Sequence, residues 1–382
     1  MRKENNRTAS LYIHVPFCRS KCPYCAFYSF RPSAGQMERW CRCIIKELEM
    51  IRHTLPADCM ISSIYCGGGT PSYLPVTLWA DLLKELALFS RTADCEFTVE
   101  ANPESVDQEK LTAWQYGGVN RVSLGIQSLD SRELRMIARP HSASEALEVL
   151  EQCMNHGFRT SGDLIFGLPN QTLRRWHASM SRLAAEGIRH ISVYQLMIEP
   201  ESFWGKHTPE HLPDGYPMYR WAQYYLPHRG LRQYEIASFA VPGEESRHNL
   251  AYWRRSNVYA AGPAAWGFVD GSRYANDGDF TKWAEDIEMG RSPVTYREHL
   301  QGGREASEAA VLALRTCFGI SFQEFSSRYG SSYLEEILQR LRKLPPQDFC
   351  WTDRSVALSQ RGMRVGNSIW TELLDLEQCD KP

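Results

Sequence analysis

The first 200 residues repeat one pattern: a short apolar, β-rich run, a loop of Gly, Pro or polar residues, then an amphipathic stretch. Runs at Leu11–Pro16, Ser62–Cys66, Glu96–Glu100, Arg121–Gly125, Gly162–Phe166 and His190–Leu196 read as strands. Apolar residues at helical spacing predict helices near Gln36–His53, Val76–Phe89 and Ala143–His156; Leu78, Leu82 and Leu86 mark the second. Strands alternating with helices imply right-handed βαβ units and a parallel sheet. No Gly-x-Gly-x-x-Gly turn follows the first strand. That favours an α/β fold built as a partial (β/α)6 TIM-like barrel over a dinucleotide-binding sheet. In such a barrel the loops after the strands gather on one face, where chemistry sits.

Beyond Pro213 the alternation dissolves. Tyr216–His228 reads as helix and Gln233–Phe239 as a further strand, while Pro242 to Gly278 is loop-rich and aromatic. From Glu305 the chain reads as helical, then closes with Phe349–Ser359 and an amphipathic stretch, Gly362–Leu376. Gly302-Gly303 marks a boundary before a small helical, winged-helix-like tail. The expected division is a core domain over 1–235, a connecting segment over 236–302 and a C-terminal domain over 303–382.

Composition narrows the function classes. The chain has 43 Lys+Arg against 45 Asp+Glu, a formal net charge of -2, which argues against a nucleic-acid partner. No apolar run approaches the roughly 18 residues of a membrane span. Leu11–Phe17 is too short and too broken for a secretory signal. A cytoplasmic protein without direct membrane insertion is expected. Its twelve cysteines then read as reduced thiols rather than a disulfide framework. Cys41, Cys43, Cys59, Cys66, Cys95, Cys153, Cys317, Cys350 and Cys379 are scattered singly and read as small buried apolar residues.

The remaining three are packed into Cys18-Arg19-Ser20-Lys21-Cys22-Pro23-Tyr24-Cys25, directly after the first strand. Three thiolates at this spacing can converge on one metal centre. The spacing leaves open an iron–sulfur cluster, a zinc ion or coincidence. Zinc would want a fourth ligand, and the nearest candidate is His14. Three ligands and an open position suit a cubane with one free iron. Gly67-Gly68-Gly69-Thr70-Pro71 lets backbone approach a ligand closely, or forms a plain turn. Glu100 and Gln127 end strands and Asp163 lies within one, so the three share a pocket with the cysteine loop or act as caps. Arg139 is a candidate for holding a carboxylate, or an ordinary surface residue.

Cys-x3-Cys-x2-Cys with an aromatic before the last cysteine resembles the signature of the radical S-adenosylmethionine (SAM) superfamily. The resemblance implies a [4Fe-4S] cluster on Cys18, Cys22 and Cys25, with SAM chelated at its free iron. It also implies an electron donor and cleavage of SAM to a 5'-deoxyadenosyl radical. The phrases Tyr12-Ile13-His14-Val15-Pro16-Phe17-Cys18, Gly162-Asp163-Leu164-Ile165-Phe166-Gly167-Leu168-Pro169 and Arg247-His248-Asn249-Leu250-Ala251-Tyr252-Trp253 resemble the HemN/HemW branch. Matching motif positions imply SAM contacts at Tyr12, Phe27, Gly68, Gly69, Thr70, Glu100, Gln127, Arg139 and Asp163. Tyr12 would be an aromatic lid, and Phe27 would touch the adenosyl side.

That branch holds two activities. One is oxygen-independent coproporphyrinogen III oxidation, whose motif extends to Cys-x3-Cys-x2-Cys-x-Cys behind a long N-terminal arm. Here Phe27 stands at the last position, and the first strand begins about ten residues in. The other is heme binding and delivery to acceptor proteins through His-Asn-x-x-Tyr, which stands here as His248-Asn249-Leu250-Ala251-Tyr252. Imidazole and phenolate both ligate heme iron, and residues four apart share a helix face. Read alone, the same pair is better read as a capping His and a Tyr packed beside Trp253; the resemblance reverses that preference. The resemblance implies a heme chaperone with heme at His248 and Tyr252 and heme-accepting partners; a cluster-dependent homodimer is a separate expectation. Coproporphyrinogen oxidase and a radical SAM enzyme on another substrate are the alternatives. Two departures stand out. In Gly262-Pro263-Ala264-Ala265-Trp266-Gly267, Trp266 replaces a usual His and Ala264 a usual Gly; Ala138 likewise stands where Gly is usual. An indole cannot ligate iron.

Overall fold

The computed structural model describes residues 8–374 and 376. Cys379, read above as a buried thiol, lies outside them. Six strands pair in sequence order, all parallel: β1 (Thr8–Val15), β2 (Met60–Gly68), β3 (Arg91–Ala101), β4 (Arg121–Gln127), β5 (Arg159–Phe166) and β6 (His190–Gln195). The crossovers carry α1 (Gln36–Thr54), α2 (Val76–Leu86), α3 (Gln108–Tyr116), α4 (Ser131–Met136) with α5 (Ala143–Asn155), and α6 (Leu173–Ala185). The core is therefore the expected α/β half-barrel.

The period-2 pattern of these strands explains the barrel's two faces. Leu11, Ile13 and Val15, then Ile64 and Cys66, Phe97 and Val99, Val122 and Leu124, join the helices in one hydrophobic core. The alternate residues, Ser10 and His14, Ser63, Glu96 and Thr98, Arg121 and Ser123, Ser161, and His190 and Ser192, are buried and polar. The barrel thus packs outward against its helices and keeps a polar interior. Buried polar groups need partners, so the interior is laced with hydrogen bonds. Ser63 Oγ donates to Ser10 Oγ at 2.7 Å, and Ser123 Oγ to Asp163 Oδ2 at 3.2 Å.

After α7 (Phe203–Lys206) and α8 (Tyr216–Tyr225), the structure departs from the sequence reading. The single strand expected at Gln233–Phe239 is two short antiparallel strands, β7 (Arg232–Gln233) and β8 (Ser238–Ala240), and β8 pairs with β6. Glu235, between them, instead pairs with Thr316 far along the chain. The segment expected to be loop carries α9 (Arg247–Trp253), β9 (Val258–Ala261), β10 (Trp266–Val269) and β11 (Ser272–Asn276). β9 runs parallel to β1, so β1 and β6 each take a new neighbour rather than each other and the barrel stays open. Then α10 (Phe280–Glu288) and β12 (Val294–His299) complete the sheet.

Gly302 and Gly303 do not form a loop but begin α11 (Gly302–Leu314). From there the tail has its own hydrophobic cluster, including Leu314, Ile337, Leu341 and Val356. A three-stranded antiparallel sheet of Ile320–Ser321, Ser355–Leu358 and Phe349–Trp351 forms its wing. Among the scattered cysteines, Cys41, Cys43, Cys59, Cys66 and Cys153 are buried as expected. Cys317 and Cys350 are exposed, against expectation, the latter on the edge strand of the tail sheet.

Candidate functional site

The cysteine loop leaves β1 at its C-terminal end. Its base is closed by backbone bonds, Cys18 N–H to Phe30 O at 3.0 Å and Phe30 N–H to Pro16 O at 2.8 Å. Phe17, fully buried, packs edge-on against Phe30 at 5.5 Å. The loop is thus fixed from an aromatic core while its thiols face the barrel mouth. The glycine loop after β2 zips onto the same strand end, Gly69 N–H to Val15 O and Thr70 N–H to Phe17 O, both 2.8 Å. A Cβ at Gly69 would meet Phe17 O at 2.7 Å, so only glycine permits this approach. Gly68 sits at φ 110, where a side chain is strained.

These loops enclose a cavity of about 600 Å³ at the C-terminal ends of the strands. Cys18, Cys22 and Cys25 all line it. So do Phe27, Gly68, Gly69, Thr70, Glu100, Gln127, Arg139 and Asp163. The strand-end residues singled out in the sequence therefore converge with the cysteine loop in one place. Its size is in the ordinary range for a small-molecule site.

The cavity walls are polarised. Cys18 Sγ lies 3.4 Å from Thr70 Oγ1. The Arg139 guanidinium donates to Cys22 Sγ at 3.6 Å, to Asn102 Oδ1 at 2.7 Å and to Gly125 O at 2.5 Å. Its Nε is buried without a partner, as is Asp163 Oδ1. Such orphaned polar atoms are costly unless a ligand meets them. Burial pushes the Glu100 carboxyl up to about 7; the Tyr65 hydroxyl opposes that shift and nearby Asp163 adds to it. Burial also holds Asp163 above its ordinary value. Burial holds the Cys25 thiol high as well, against a backbone bond at Phe27, and the sulfurs of Cys22 and Cys18 add to the shift.

The cysteine spacing left open a cluster or a zinc ion. Among the described residues, no three His, Cys, Asp or Glu groups come close enough to share a single ion. His14 is not a fourth ligand, because both ring nitrogens are used. Tyr12 OH donates to Nδ1 at 3.0 Å, and Nε2 donates to Tyr28 O at 2.9 Å. Three thiols on one cavity, without a fourth, fit a cluster with an open corner.

Three expected site residues are not at this cavity. Tyr12 does not line it: its ring centroid lies 6.2 Å from that of His248 and 6.3 Å from that of Tyr65. His248 and Tyr252 do share a face of α9, with rings 5.3 Å apart. However, α9 plugs the opposite end of the barrel. Its Arg247 and His248 amides donate to Glu96 at 3.2 and 3.1 Å, and His248 Nδ1 meets Ser63 Oγ at 3.0 Å. His248 is 1% exposed, and burial, with Arg121 nearby, depresses it to about 3. Trp266, at the start of β10, is half-exposed and packs on Tyr296 at 5.3 Å. Sequence reasoning missed Asn102, whose amide donates to Thr70 Oγ1 at 3.1 Å while its carbonyl oxygen accepts from Arg139. It also missed Tyr194 and Met197, on the far rim. Asn102 follows the last residue of β3, the position that the barrel rule marks for function.

A half-barrel with a three-cysteine loop and a glycine-lined cavity at its strand ends defines a cofactor-binding class. The Radical SAM superfamily signature matches residues 12–183. The heme chaperone HemW of Bacillus subtilis is 30% identical over 376 residues, 96% of this chain and 99% of that protein. The heme chaperone HemW of Escherichia coli is 34% identical over 268 residues, 68% of this chain and 70% of that protein. The solved structure of coproporphyrinogen III oxidase (HemN) from Escherichia coli superposes with a TM-score of 0.84 at 19% identity, covering 97% of this chain and 91% of that one. The chain belongs to the radical SAM superfamily, in its HemN/HemW branch. No helix among the described residues is long and apolar enough to cross a membrane.

Proposed function

We propose that this chain is a cytoplasmic heme chaperone that holds a [4Fe-4S] cluster and SAM and delivers heme to acceptor proteins. The observation that carries the cofactor reading is the meeting of three thiols, a glycine loop and two half-buried carboxylates on one cavity. Cys18, Cys22 and Cys25 would ligate the cluster. Glu100, Asp163 and the Gly68–Thr70 backbone would take the cationic and hydroxyl groups of SAM, and Arg139 its carboxylate. Phe27, 70% exposed at the mouth, would cover the adenosyl side. When bound and reduced by a donor protein, the cluster supplies the electron that can cleave SAM. The chain's own part is to orient the ligand and keep water out.

The chaperone half of the reading is supported by likeness to HemW proteins over nearly the whole chain and by Phe27 at the position of a fourth cysteine. His248 and Tyr252 are the heme contacts implied by motif; His248 is buried, while Tyr252 on the same helix is half-buried. The test is anaerobic reconstitution, then hemin titration and transfer to an apo-acceptor, with coproporphyrinogen supplied to the same sample. Heme should bind and transfer without protoporphyrinogen appearing. Turnover of the porphyrinogen with SAM consumed would overturn the reading in favour of the oxidase. Unchanged heme binding in His248→Ala would remove that residue from the heme site.

A further inference from the structure

Beneath Glu100 the barrel interior holds a column of side chains to which the SAM reading gives no part. It starts on the floor, where Ser63 Oγ gives its proton to Ser10 Oγ at 2.7 Å. That leaves Nδ1–H of His248 as donor to Ser63 at 3.0 Å. Nε2 of His248 is then a buried acceptor without a partner. The imidazole stacks on the Tyr65 ring, with centroids 4.9 Å apart and planes 22° from parallel. Tyr65 in turn donates its hydroxyl to Glu100 Oε1 at 2.7 Å. The other oxygen of Glu100 accepts from the Gly68 amide at 3.1 Å.

Glu100 and Gly68 line the cavity; Tyr65 and His248 lie beneath it. Each carboxylate oxygen therefore has one fixed donor, and one of the two rests on the stack below. Leaving a ring nitrogen unpaired in the interior is costly. An apolar residue would avoid that cost if the floor needed only filling. The ring's place in the column gives it a use: it sets where the Tyr65 hydroxyl stands, and so where the carboxylate points.

We infer that Tyr65 and His248 are positioning residues, which hold the Glu100 carboxylate in the SAM-binding geometry from underneath. The inference rests on the reading that this cavity takes SAM. It assigns the His-Asn-x-x-Tyr histidine an occupation on the barrel axis, at the end opposite the cavity mouth.

The test uses the full chain with its cluster reconstituted. SAM affinity is measured by equilibrium dialysis for Tyr65→Phe, His248→Ala and His248→Phe. Amide hydrogen exchange at Gly68 is followed without cofactor, beside the melting temperature. Tyr65→Phe should bind SAM about tenfold more weakly, the scale of one hydrogen bond to a charged group, with iron content unchanged and Gly68 exchanging faster. His248→Ala should weaken SAM binding in the same direction. His248→Phe, which keeps a stacking ring, should restore most of it; a merely structural filler would move stability alone. SAM binding at the wild-type level in Tyr65→Phe, with Gly68 exchange unchanged, would overturn the inference, and Tyr65→Phe decides the matter if His248→Ala does not fold. If the wild-type chain with full cluster binds no SAM, the cavity reading fails, while Gly68 exchange still decides whether the column positions Glu100.

Discussion

Three non-glycine residues singled out in the sequence sit in the left-handed region: Gln127 at φ 64, Ala138 at φ 55 and Ala264 at φ 59. Each costs roughly 1–2 kcal/mol. Gln127 lines the cavity, where strain is commonly kept for geometry. Ala138 and Ala264 are the two positions where the branch usually has glycine, and the backbone shows why glycine suits them. Ala264→Gly should therefore raise unfolding stability by about 0.5–1 kcal/mol after the entropy of glycine is subtracted. A denaturation midpoint that stays or falls would contradict this. Glu100 carries a pH prediction. Burial lifts its carboxyl to about 7, so ionising it costs folding stability as pH rises through that value. A cationic ligand favours the ionised form. SAM affinity should thus climb from about pH 6 to about pH 8 and then level, and Glu100→Gln should weaken binding and flatten the profile. A flat wild-type profile would mean that Glu100 does not face the ligand's charge.

At the scale of elements, the glycine loop is the tightest constraint. Gly69→Ala would place a methyl 2.7 Å from Phe17 O and 2.9 Å from Val15 O, so the loop must leave β1. The expected loss is about 1–3 kcal/mol of stability, accompanied by lower iron retention after reconstitution. Full iron content and an unchanged melting temperature would contradict it. The six core strands were readable because each is a β-rich run followed by turn residues, with amphipathic helices after the first, second and fourth. The cysteine loop and strand ends were readable because this architecture sends chemistry to one face. The strands between residues 258 and 299 were not, because they are four to six residues long and their identity comes from partners far away. β9 exists as a strand through its pairing with β1, and Glu235 turns aside to meet Thr316. No local pattern records either contact.

At the scale of the whole molecule, the helical spacing of His248 and Tyr252 was legible but the end of the barrel they occupy was not. That placement depends on Glu96 and Ser63, 152 and 185 residues away from His248. The same helix carries the tail. Arg255, buried just after α9, pairs with Glu305 at 3.4 Å and Glu308 at 2.5 Å on α11. Arg315 is held between Trp253 at 4.6 Å and Trp370 at 4.7 Å. The C-terminal part thus rests on the plug that closes the barrel, while the cofactor cavity opens at the other end. The most direct test of this arrangement is iron and SAM stoichiometry on anaerobically reconstituted chain, compared with Cys18→Ser, Cys22→Ser and Cys25→Ser. The account predicts one four-iron cluster and one SAM per wild-type chain, with both lost in each variant. A wild-type chain that takes up neither, or variants that keep both, would contradict it.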